Sequence, residues 1–482
     1  MVFSSITFLF FFLPLVLLVY PFAGARMRNG ILLVTSLLFY SWGEGLYLLV
    51  MLASIGLNYL CGRLIFLGNA TKPSKMLLAL GITGNLCLLG YFKYAHFLTD
   101  NVNLLLTHVH LPTVDLTPVH LPVGISFFTF QAISYIVDVY RREVPPQNNI
   151  ISLSLYIALF PQLIAGPIVR YNQIALELTN RRVTTSDFAA GAERFFYGLA
   201  KKVLLANPMA AIADQVFALP AADLTTGLAW LGALCYSLQI YFDFSGYSDM
   251  AIGLGKLFGF TFPENFNYPY LSASIREFWR RWHISLSTWL RDYIYIPLGG
   301  NRKSPMRTHI NLVLVFFLCG LWHGASWTFI AWGLYHGLFL VLERGWYGKV
   351  QSGLWLPLRH ILTMFLVMIG WVLFRSETLT AATGYLATMS GLTATAGGLS
   401  LGMILNNKST FELGCAILFA LPVFPWLRGY MTRLAKAPQM AGRTWLQHGF
   451  SAVHLGTLGV LSYLTIISLA AGAYNPFIYF RF

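Results

Sequence analysis

The chain has 482 residues, of which 57% are hydrophobic and 10% charged, and its formal net charge is +14. Soluble domains carry about 25% charged residues, so this composition excludes a protein whose whole surface faces water. Many apolar runs approach the ~20 residues that a helix needs to cross a bilayer, and they do not alternate as membrane-barrel strands do. The composition therefore predicts an all-α, multi-pass transmembrane protein.

The positive charge is explained by the membrane rather than by a nucleic acid. Cytoplasmic loops of membrane proteins collect Lys and Arg, and the sequence has neither a basic low-complexity arm nor a nucleic-acid motif. We therefore expect contact with membrane lipid and no nucleic-acid partner. The five cysteines lack metal-ligand or redox spacing, so they are predicted to be small buried apolar residues. They are Cys61, Cys87, Cys235, Cys319 and Cys415.

Basic residues give the predicted orientation of the first spans. Residues 1–20 are apolar with no basic region before them, which predicts a retained span and not a signal peptide. Two pairs of spans follow, and each pair ends on cations, as expected for a chain whose N-terminus is outside. The pairs are residues 31–43 with 46–66, ending at Lys72 and Lys75, and 76–91 with 122–140, ending at Arg141 and Arg142. Residues 99–120, between the last two spans, are also expected outside.

Beyond residue 150 the apolar pattern is interrupted. Residues 151–168 are broken by Pro161, Gly166 and Pro167, which predicts a re-entrant segment, because broken backbone at membrane depth must be buried in protein. Residues 388–405 are rich in Gly, Ser and Thr and are predicted to form an exterior loop. By length, we expect about 10–12 spans plus re-entrant segments, all in one domain covering residues 1–482. The remaining candidates are residues 195–205, 228–241, 249–260, 311–321, 327–342, 360–374, 411–423 and 453–471.

A segment that combines cations and aromatic residues begins at Ser274, where the pattern S-x-x-E predicts a capping box and a helix start. Glu277 and Arg281 are spaced to form an ion pair on this helix. The pattern suits two structures equally: an amphipathic helix at the cytoplasmic interface, or a channel wall whose cations attract a phosphate-bearing donor. On one helix ending near residue 297, a polar face would hold Arg276, Arg280, His283, Ser287 and Arg291.

Two histidines lie in apolar surroundings further along. His323, in Leu-Trp-His-Gly-Ala, ends a long apolar run, and a titratable side chain at bilayer depth is costly, so it is a candidate functional residue. A histidine hydrogen-bonded between helices is the alternative. His336 follows thirteen residues later, about 140° away on a continuous helix, so one helix could not bring both rings together. We predict a structural role for His336 and no metal site, since no zinc-ligand spacing is present.

Residues 241–249 place Asp243 and Asp249 after a long apolar stretch. A buried carboxylate needs a partner, which the arginine-rich face could supply, and an ion pair that fixes helix register is the preferred interpretation. The Pro/Gly breaks at residues 122–127 and 161–167 either line a cavity or kink helices for packing. No Ser/His/Asp triad follows from the spacing.

The sequence resembles the membrane-bound O-acyltransferases, and within them the bacterial alginate O-acetyltransferase branch. The matching segments are spread over nearly the whole chain in family order, and the core of the motifs lies in residues 120–345. They are residues 1–5, 122–127, 135–141, 165–167, 241–253, 277–292, 321–325 and 476–480.

The resemblance implies a ring of membrane helices around a funnel or tunnel, with a histidine where donor and acceptor meet. The near-invariant family histidine corresponds to His323, which we expect to be the general base, and a second family histidine corresponds to His283, which would support it. Seven further side chains are candidates for contact with the donor or substrate, although a structural role is preferred for Asp243 and His336: Arg276, Arg280, Arg281, Ser287, Trp322, Asp243 and His336.

The resemblance also implies the reaction and its setting. An acetyl group from cytoplasmic acetyl-CoA, a substrate and not a resident cofactor, would pass toward a polysaccharide outside the bacterial inner membrane, finished by periplasmic acetyltransferase partner proteins. Alginate or cellulose is the expected acceptor. The alternatives are a transporter or channel for acyl groups or glycans that forms no bond, and a D-alanyl, lipid or peptidoglycan acyltransferase of the same superfamily.

Overall fold

The computed structural model describes residues 1–24, 26–66, 72–392, 399–436, 444–472 and 474–476. These residues form helices joined by short connections, and no strand occurs among them, which confirms the all-α prediction. Part of the predicted exterior loop, residues 393–398, and most of the family-like ending, residues 477–480, lie outside the described residues.

The first half of the chain contains twelve α-helices among the described residues. They are α1 (Leu13–Val19), α2 (Arg28–Glu44), α3 (Leu48–Leu64), α4 (Lys75–Leu89), α5 (Ala95–His108), α6 (Ile125–Tyr140), α7 (Ile150–Ala158), α8 (Phe160–Leu163), α9 (Tyr171–Ile174), α10 (Thr185–Ala200), α11 (Asn207–Phe217) and α12 (Thr226–Leu257). Wider π-helical turns occur at Phe8–Phe12, Gly90–Tyr94 and Lys201–Ala206, and 3-10 turns at Tyr20–Phe22 and Gly45–Tyr47.

The second half continues in the same way. Its α-helices are α13 (Ile275–Arg281), α14 (Ile284–Leu290), α15 (Pro305–His323), α16 (Trp327–Leu342), α17 (Trp346–Gly353), α18 (Leu356–Arg375), α19 (Leu379–Met389), α20 (Leu401–Ile404), α21 (Asn407–Phe419), α22 (Val423–Lys436) and α23 (Thr444–Ala470). A 3-10 turn, Pro269–Leu271, precedes α13, and a π-helical turn, Arg291–Tyr295, follows α14.

Five helical stretches in the described chain are long and apolar enough to cross a membrane by length and composition. They are Arg28–Leu64, Lys75–His108, Pro305–His323, Leu356–Arg375 and Ser451–Ala470. Three shorter apolar helices accompany them: Phe8–Phe22, Ile125–Tyr140 and Trp327–Leu342. The protein is therefore a multi-pass helical membrane protein.

Two sequence-based boundaries were wrong. The span predicted to end at residue 91 continues through a π-helical turn to His108, so the first part of the expected outside segment is helical. The two candidates 228–241 and 249–260 are one helix, α12, and the Asp243 run between them is helical and buried. The run can stay helical because its carboxylates, those of Asp243 and Asp249, form ion pairs with lysines that follow α10.

Glycines let α10 and α12 approach closely. A Cβ on Gly198 would lie 2.5 Å from the Gly246 carbonyl oxygen, and one on Gly253 would lie 2.6 Å from that of Gly191. Small residues that bring backbones together are a common means of helix association in membranes. The two glycine pairs therefore fix the antiparallel register of these helices.

The broken segment after residue 150 is buried in protein, as the re-entrant interpretation requires. Residues 152–169 are buried throughout, although the helix stops at Ala158 and again at Leu163. Gly124, in the other Pro/Gly break, adopts a φ of 79° and lies so close to the segment that a Cβ would approach the Leu163 carbonyl oxygen to 2.7 Å. The two breaks therefore pack against each other.

Candidate active site

The helix that carries His323 begins and ends at defined signals. Ser304 accepts a hydrogen bond from the Arg307 N–H, and Pro305 occupies the first turn, where its missing N–H costs nothing. The helix ends at His323, because Gly324 is extended. The chain then turns into α16, which approaches α15 closely where Gly320 faces Gly333.

The His323 ring lies in an aromatic cluster. Its centroid is 4.9 Å from that of Trp322, 5.1 Å from that of Trp332 and 5.2 Å from that of Phe374. The residue is 7% exposed, and its Nε2 has no hydrogen-bond partner among the described residues. Buried polar atoms are normally paired, so this unpaired imidazole nitrogen is a candidate for contact with a reactant.

His283 reaches the same cluster from a different part of the chain. Its ring centroid lies 6.5 Å from that of His323, with the ring planes at 62°. The residue is fully buried, and its Nε2 also lacks a partner within the described part of the chain. The two histidines singled out by sequence are therefore brought together, at the distance of a ring-to-ring contact.

The single helix predicted from Ser274 to residue 297 was wrong. Trp282 is extended and His283 has a left-handed backbone at φ 44°, which divides the segment into α13 and α14. That conformation costs a non-glycine residue about 1–2 kcal/mol, and such strain is typical of functional sites. The continuous polar face therefore does not exist. The predicted Glu277–Arg281 ion pair does form, at 2.9 Å.

Asn265 stabilises the break between α13 and α14. Its side-chain oxygen accepts hydrogen bonds from the Ser285 N–H, the Ser285 hydroxyl and His283 Nδ1. Because a backbone N–H can only donate, the Ser285 N–H fixes which amide atom is the oxygen, and that oxygen fixes the proton of His283 on Nδ1. The unpaired Nε2 of His283 is then the ring nitrogen with a free lone pair.

Contacts along the neighbouring helices show how the segment runs. On α13, the Ile275 N–H meets the Glu343 carboxylate at the end of α16, whereas the Trp279 ring meets Trp332 near its start. On the way back, Trp289 stacks on Phe130, and further on the Arg141 guanidinium, just after α6, meets the Asp292 carbonyl. Residues 275–292 therefore begin and end on the same side of the histidine cluster, and His283 lies at the turn between the two halves.

His336 lies on α16 and joins the cluster through Trp332. The Trp332 ring is 5.1 Å from each of the two histidines, His323 and His336, measured between centroids. His336 is buried and also contacts the Trp279 ring at 5.3 Å. The turn between α15 and α16 thus brings close two histidines that one helix would have kept apart.

The predicted donor-contacting residues lie in different surroundings. Arg276 and Arg280 are exposed, Arg281 is held by Glu277, and Ser287 is half-buried. Trp322 is buried and donates from its indole N–H to the Ser126 carbonyl. Arg276 and Arg280 therefore remain accessible to a charged ligand, whereas Trp322 belongs to the wall around the histidines.

Asp243 is not paired with the arginines of the segment. It forms a fully buried ion pair with Lys202, at 2.8 Å, between α12 and the π-helical turn after α10. Asp249, one turn and a half further along α12, pairs with Arg194 and Lys201. The structural interpretation of these carboxylates is the one that the geometry supports, with partners that differ from those expected.

A cavity of about 500 Å³ opens where α6 and α14 end. Arg170 pairs with Asp292 at 2.8 Å on its wall, and Tyr293 donates to Asp138 beside it. Ring contacts lead from this cavity toward the histidines. Their order is Tyr293, Trp289, Phe130, Trp322 and His323, with centroid separations of 3.7 to 5.3 Å.

Four residues at the site were not predicted from the sequence: Lys93, Ser126, Asn265 and Trp332. Lys93 donates to the carbonyl oxygens of Trp322 and His323. A lysine after an apolar run was a detectable feature, because ionisable residues inside spans are functional candidates by default. The span predicted from the sequence ends at residue 91 and therefore excludes Lys93. Asn265 offered no comparable pattern, since its role depends on a break that the sequence did not show.

No group of three His, Cys, Asp or Glu side chains is placed to hold a metal ion in the part of the chain that the structure describes.

Fold and site together define a multi-pass helical membrane protein with a buried pair of histidines. The family model of the membrane-bound O-acyltransferases matches residues 74–374, more than half of the chain. The chain belongs to the membrane-bound O-acyltransferase family, and it is an O-acyltransferase.

The names of similar proteins describe O-acetyl transfer. A probable alginate O-acetylase of Azotobacter vinelandii is 43% identical over the whole of both chains. One of Pseudomonas aeruginosa is 50% identical over 79% of this chain and 73% of its own length. A peptidoglycan O-acetyltransferase of Helicobacter pylori is 37% identical over 85% of this chain and 83% of its own.

Proposed function

We propose that the protein moves acetyl groups from cytoplasmic acetyl-CoA toward an extracytoplasmic polysaccharide, with His323 as the general base. The observation that carries this proposal is the pair of buried imidazoles, 6.5 Å apart, whose Nε2 atoms both lack partners among the described residues. The names of the relatives favour alginate as the acceptor. Peptidoglycan is the second candidate, because a peptidoglycan O-acetyltransferase is 37% identical.

The chemistry needs few groups. A hydroxyl oxygen attacks the carbonyl carbon of the thioester while neutral His323 removes the hydroxyl proton through Nε2. The carbon–sulfur bond then breaks, the CoA thiolate leaves, and the proton on His323 passes to that sulfur. His283, whose ring proton is held on Nδ1 by its contact with Asn265, accepts a hydrogen bond at Nε2 from a second hydroxyl of the acceptor and so orients it.

Helix ends support a cytoplasmic origin for the donor. α15 begins just after Arg302 and Lys303, and α6 ends just before Arg141, so both helices have cations at the end away from His323. Such ends are cytoplasmic by the positive-inside rule. With 1.5 Å per residue, their 19 and 16 residues place His323 ~24–28 Å from that side.

The donor must therefore reach deep into the helices. The thioester of acetyl-CoA lies at the end of a long pantetheine arm, remote from the phosphates. In this proposal the phosphates bind the exposed Arg276 and Arg280, on the cytoplasmic side of His283, while the arm extends along α13 to His283. The acceptor side faces the periplasm of a bacterial inner membrane, as does the N-terminus, and partner proteins complete transfer to the polymer.

Polymer acetylation in cells tests the proposal. Wild type, His323→Gln and His309→Gln would be expressed at equal levels in a host that lacks its own copy, and ester-linked acetate would be measured separately on alginate, cellulose and peptidoglycan. His309, on the same helix but partly exposed, is the matched control. We expect ester-linked acetate on one of the three polymers with wild type and with His309→Gln, and its loss with His323→Gln alone. Retained acetylation in His323→Gln would instead favour a conduit without catalysis.

A further inference from the structure

Lys93 lies in an unusual place for a cation. It is inside the helical stretch Lys75–His108, which is long and apolar enough to cross a membrane, ~27 Å along the helix from its basic start. Charged side chains at such depth are costly and pair with other groups or with backbone carbonyls. The acceptors that Lys93 has found are uncharged: the carbonyl oxygens of Trp322 and His323 and the hydroxyl of Ser126.

These acceptors lie at the end of the helix that carries His323. The last carbonyl groups of a helix have no partner within it and carry partial negative charge, which a cation stabilises. Lys93 Nζ lies 2.5 Å from the Trp322 carbonyl oxygen and 3.1 Å from that of His323, and the Tyr94 hydroxyl donates to Leu321 at 2.6 Å. Three consecutive carbonyls, those of residues 321–323, are therefore held by two adjacent side chains.

The π-helical turn Gly90–Tyr94 makes this arrangement possible. A π turn has more residues than an α turn, changes the direction of the side chains that follow, and occurs frequently at functional sites. Here it presents both Lys93 and Tyr94 to the end of α15. The Lys93 ammonium also lies 6.0 Å from the centroid of the Trp322 ring, so the same side chain contacts the wall of the site.

We propose that Lys93 is a positioning residue: its hydrogen bonds to the end of α15 hold the His323 imidazole in reacting geometry. This inference rests on the proposed role of His323 as the base. Misplacement of a reacting group by 1 Å costs on the order of 100-fold in rate, so the final turn of α15 must be fixed. Lys93 and Tyr94 fix it from a helix that carries neither histidine.

Purified full-length variants in lipid nanodiscs test the inference through kcat and KM for acetyl-CoA, read as release of free CoA. Lys93→Met removes the charge and the donors. Lys93→Gln removes the charge but keeps two N–H donors for the carbonyls, and Lys93→Arg keeps both the charge and the donors. We expect kcat to fall about 100-fold in Lys93→Met, less in Lys93→Gln and least in Lys93→Arg, with KM within about threefold of wild type. Tyr91→Phe, at an exposed position in the same turn, should leave both constants unchanged.

The outcomes separate this inference from the proposed function. Wild-type kcat in folded His323→Gln, measured alongside, would remove the base and the proposed function with it. An inactive His323→Gln together with full kcat in Lys93→Met would overturn the inference alone. Equal losses in Lys93→Arg and Lys93→Met would also overturn it, because volume and not hydrogen bonding would then decide the rate. Should Lys93→Met fail to fold, a smaller loss of kcat in Lys93→Arg than in Lys93→Gln would support the inference, and an equal or larger loss in Lys93→Arg would overturn it.

Discussion

The imidazoles of His283 and His323 lie 6.5 Å apart, centroid to centroid, although forty residues separate them in the sequence. Each lies where a helix is interrupted. His323 is the last residue of α15, and His283 is the residue with left-handed backbone between α13 and α14. A pair of side chains on interrupted backbone needs supporting hydrogen bonds from elsewhere, and Asn265 and Lys93 supply them.

Replacing Asn265 should weaken the site more than the fold. Asn265→Ala removes the oxygen that holds His283 Nδ1 and leaves the Ser285 N–H buried without its acceptor, a loss of ~1–3 kcal/mol. We expect kcat to fall because His283 is no longer fixed in one tautomer, while KM for acetyl-CoA changes little. Turnover of purified protein would check this, and a variant with wild-type kcat would show that the His283 tautomer is irrelevant.

The exposed arginines of α13 should act on donor binding. Replacing Arg280 by Ala is expected to raise KM for acetyl-CoA about tenfold and to leave kcat within about threefold, because a remote phosphate contact is the same in ground and transition states. Arg302→Ala, at an exposed position beyond the segment, serves as the control. A lower kcat with unchanged donor dependence would assign Arg280 another role.

The Lys202–Asp243 pair should support stability and not substrate binding. Lys202→Met leaves the fully buried carboxylate without its ammonium partner, which is expected to cost ~3–5 kcal/mol. Adding Asp243→Asn should recover much of the loss, because no buried charge then remains. Thermal unfolding in detergent would measure both effects. A double variant that is as unstable as Lys202→Met would argue against this explanation.

The glycine contacts of α10 and α12 make a separate prediction. Gly198→Ala would place a methyl group against the Gly246 carbonyl and should destabilise the protein by ~1–3 kcal/mol. Gly384→Ala is the matched control, since that glycine is also helical and has open space around it, so alanine should be neutral or slightly stabilising. Unfolding temperatures that fall equally in both variants would contradict the role assigned to close packing.

The fold class was predictable from sequence for a physical reason, because low charge and long apolar runs that do not alternate permit only a helical membrane protein. His323 was a candidate because a histidine at the end of an apolar run is costly, whereas His283 was indicated by the resemblance to the family alone. The break at His283 was not predictable, because the pattern of residues 274–291 fits one continuous helix and the hydrogen bonds that divide it come from Asn265 and Asn267. Lys93 was missed because a π-helical turn extends its helix beyond the apolar run.

Thioester turnover by purified His323→Gln tests the central claim most directly. The variant should bind acetyl-CoA and unfold at the wild-type temperature, while release of free CoA in the presence of acceptor falls by ~100-fold or more, the usual contribution of a general base. Turnover within about twofold of wild type in a folded His323→Gln protein would contradict the assignment of this imidazole as the base.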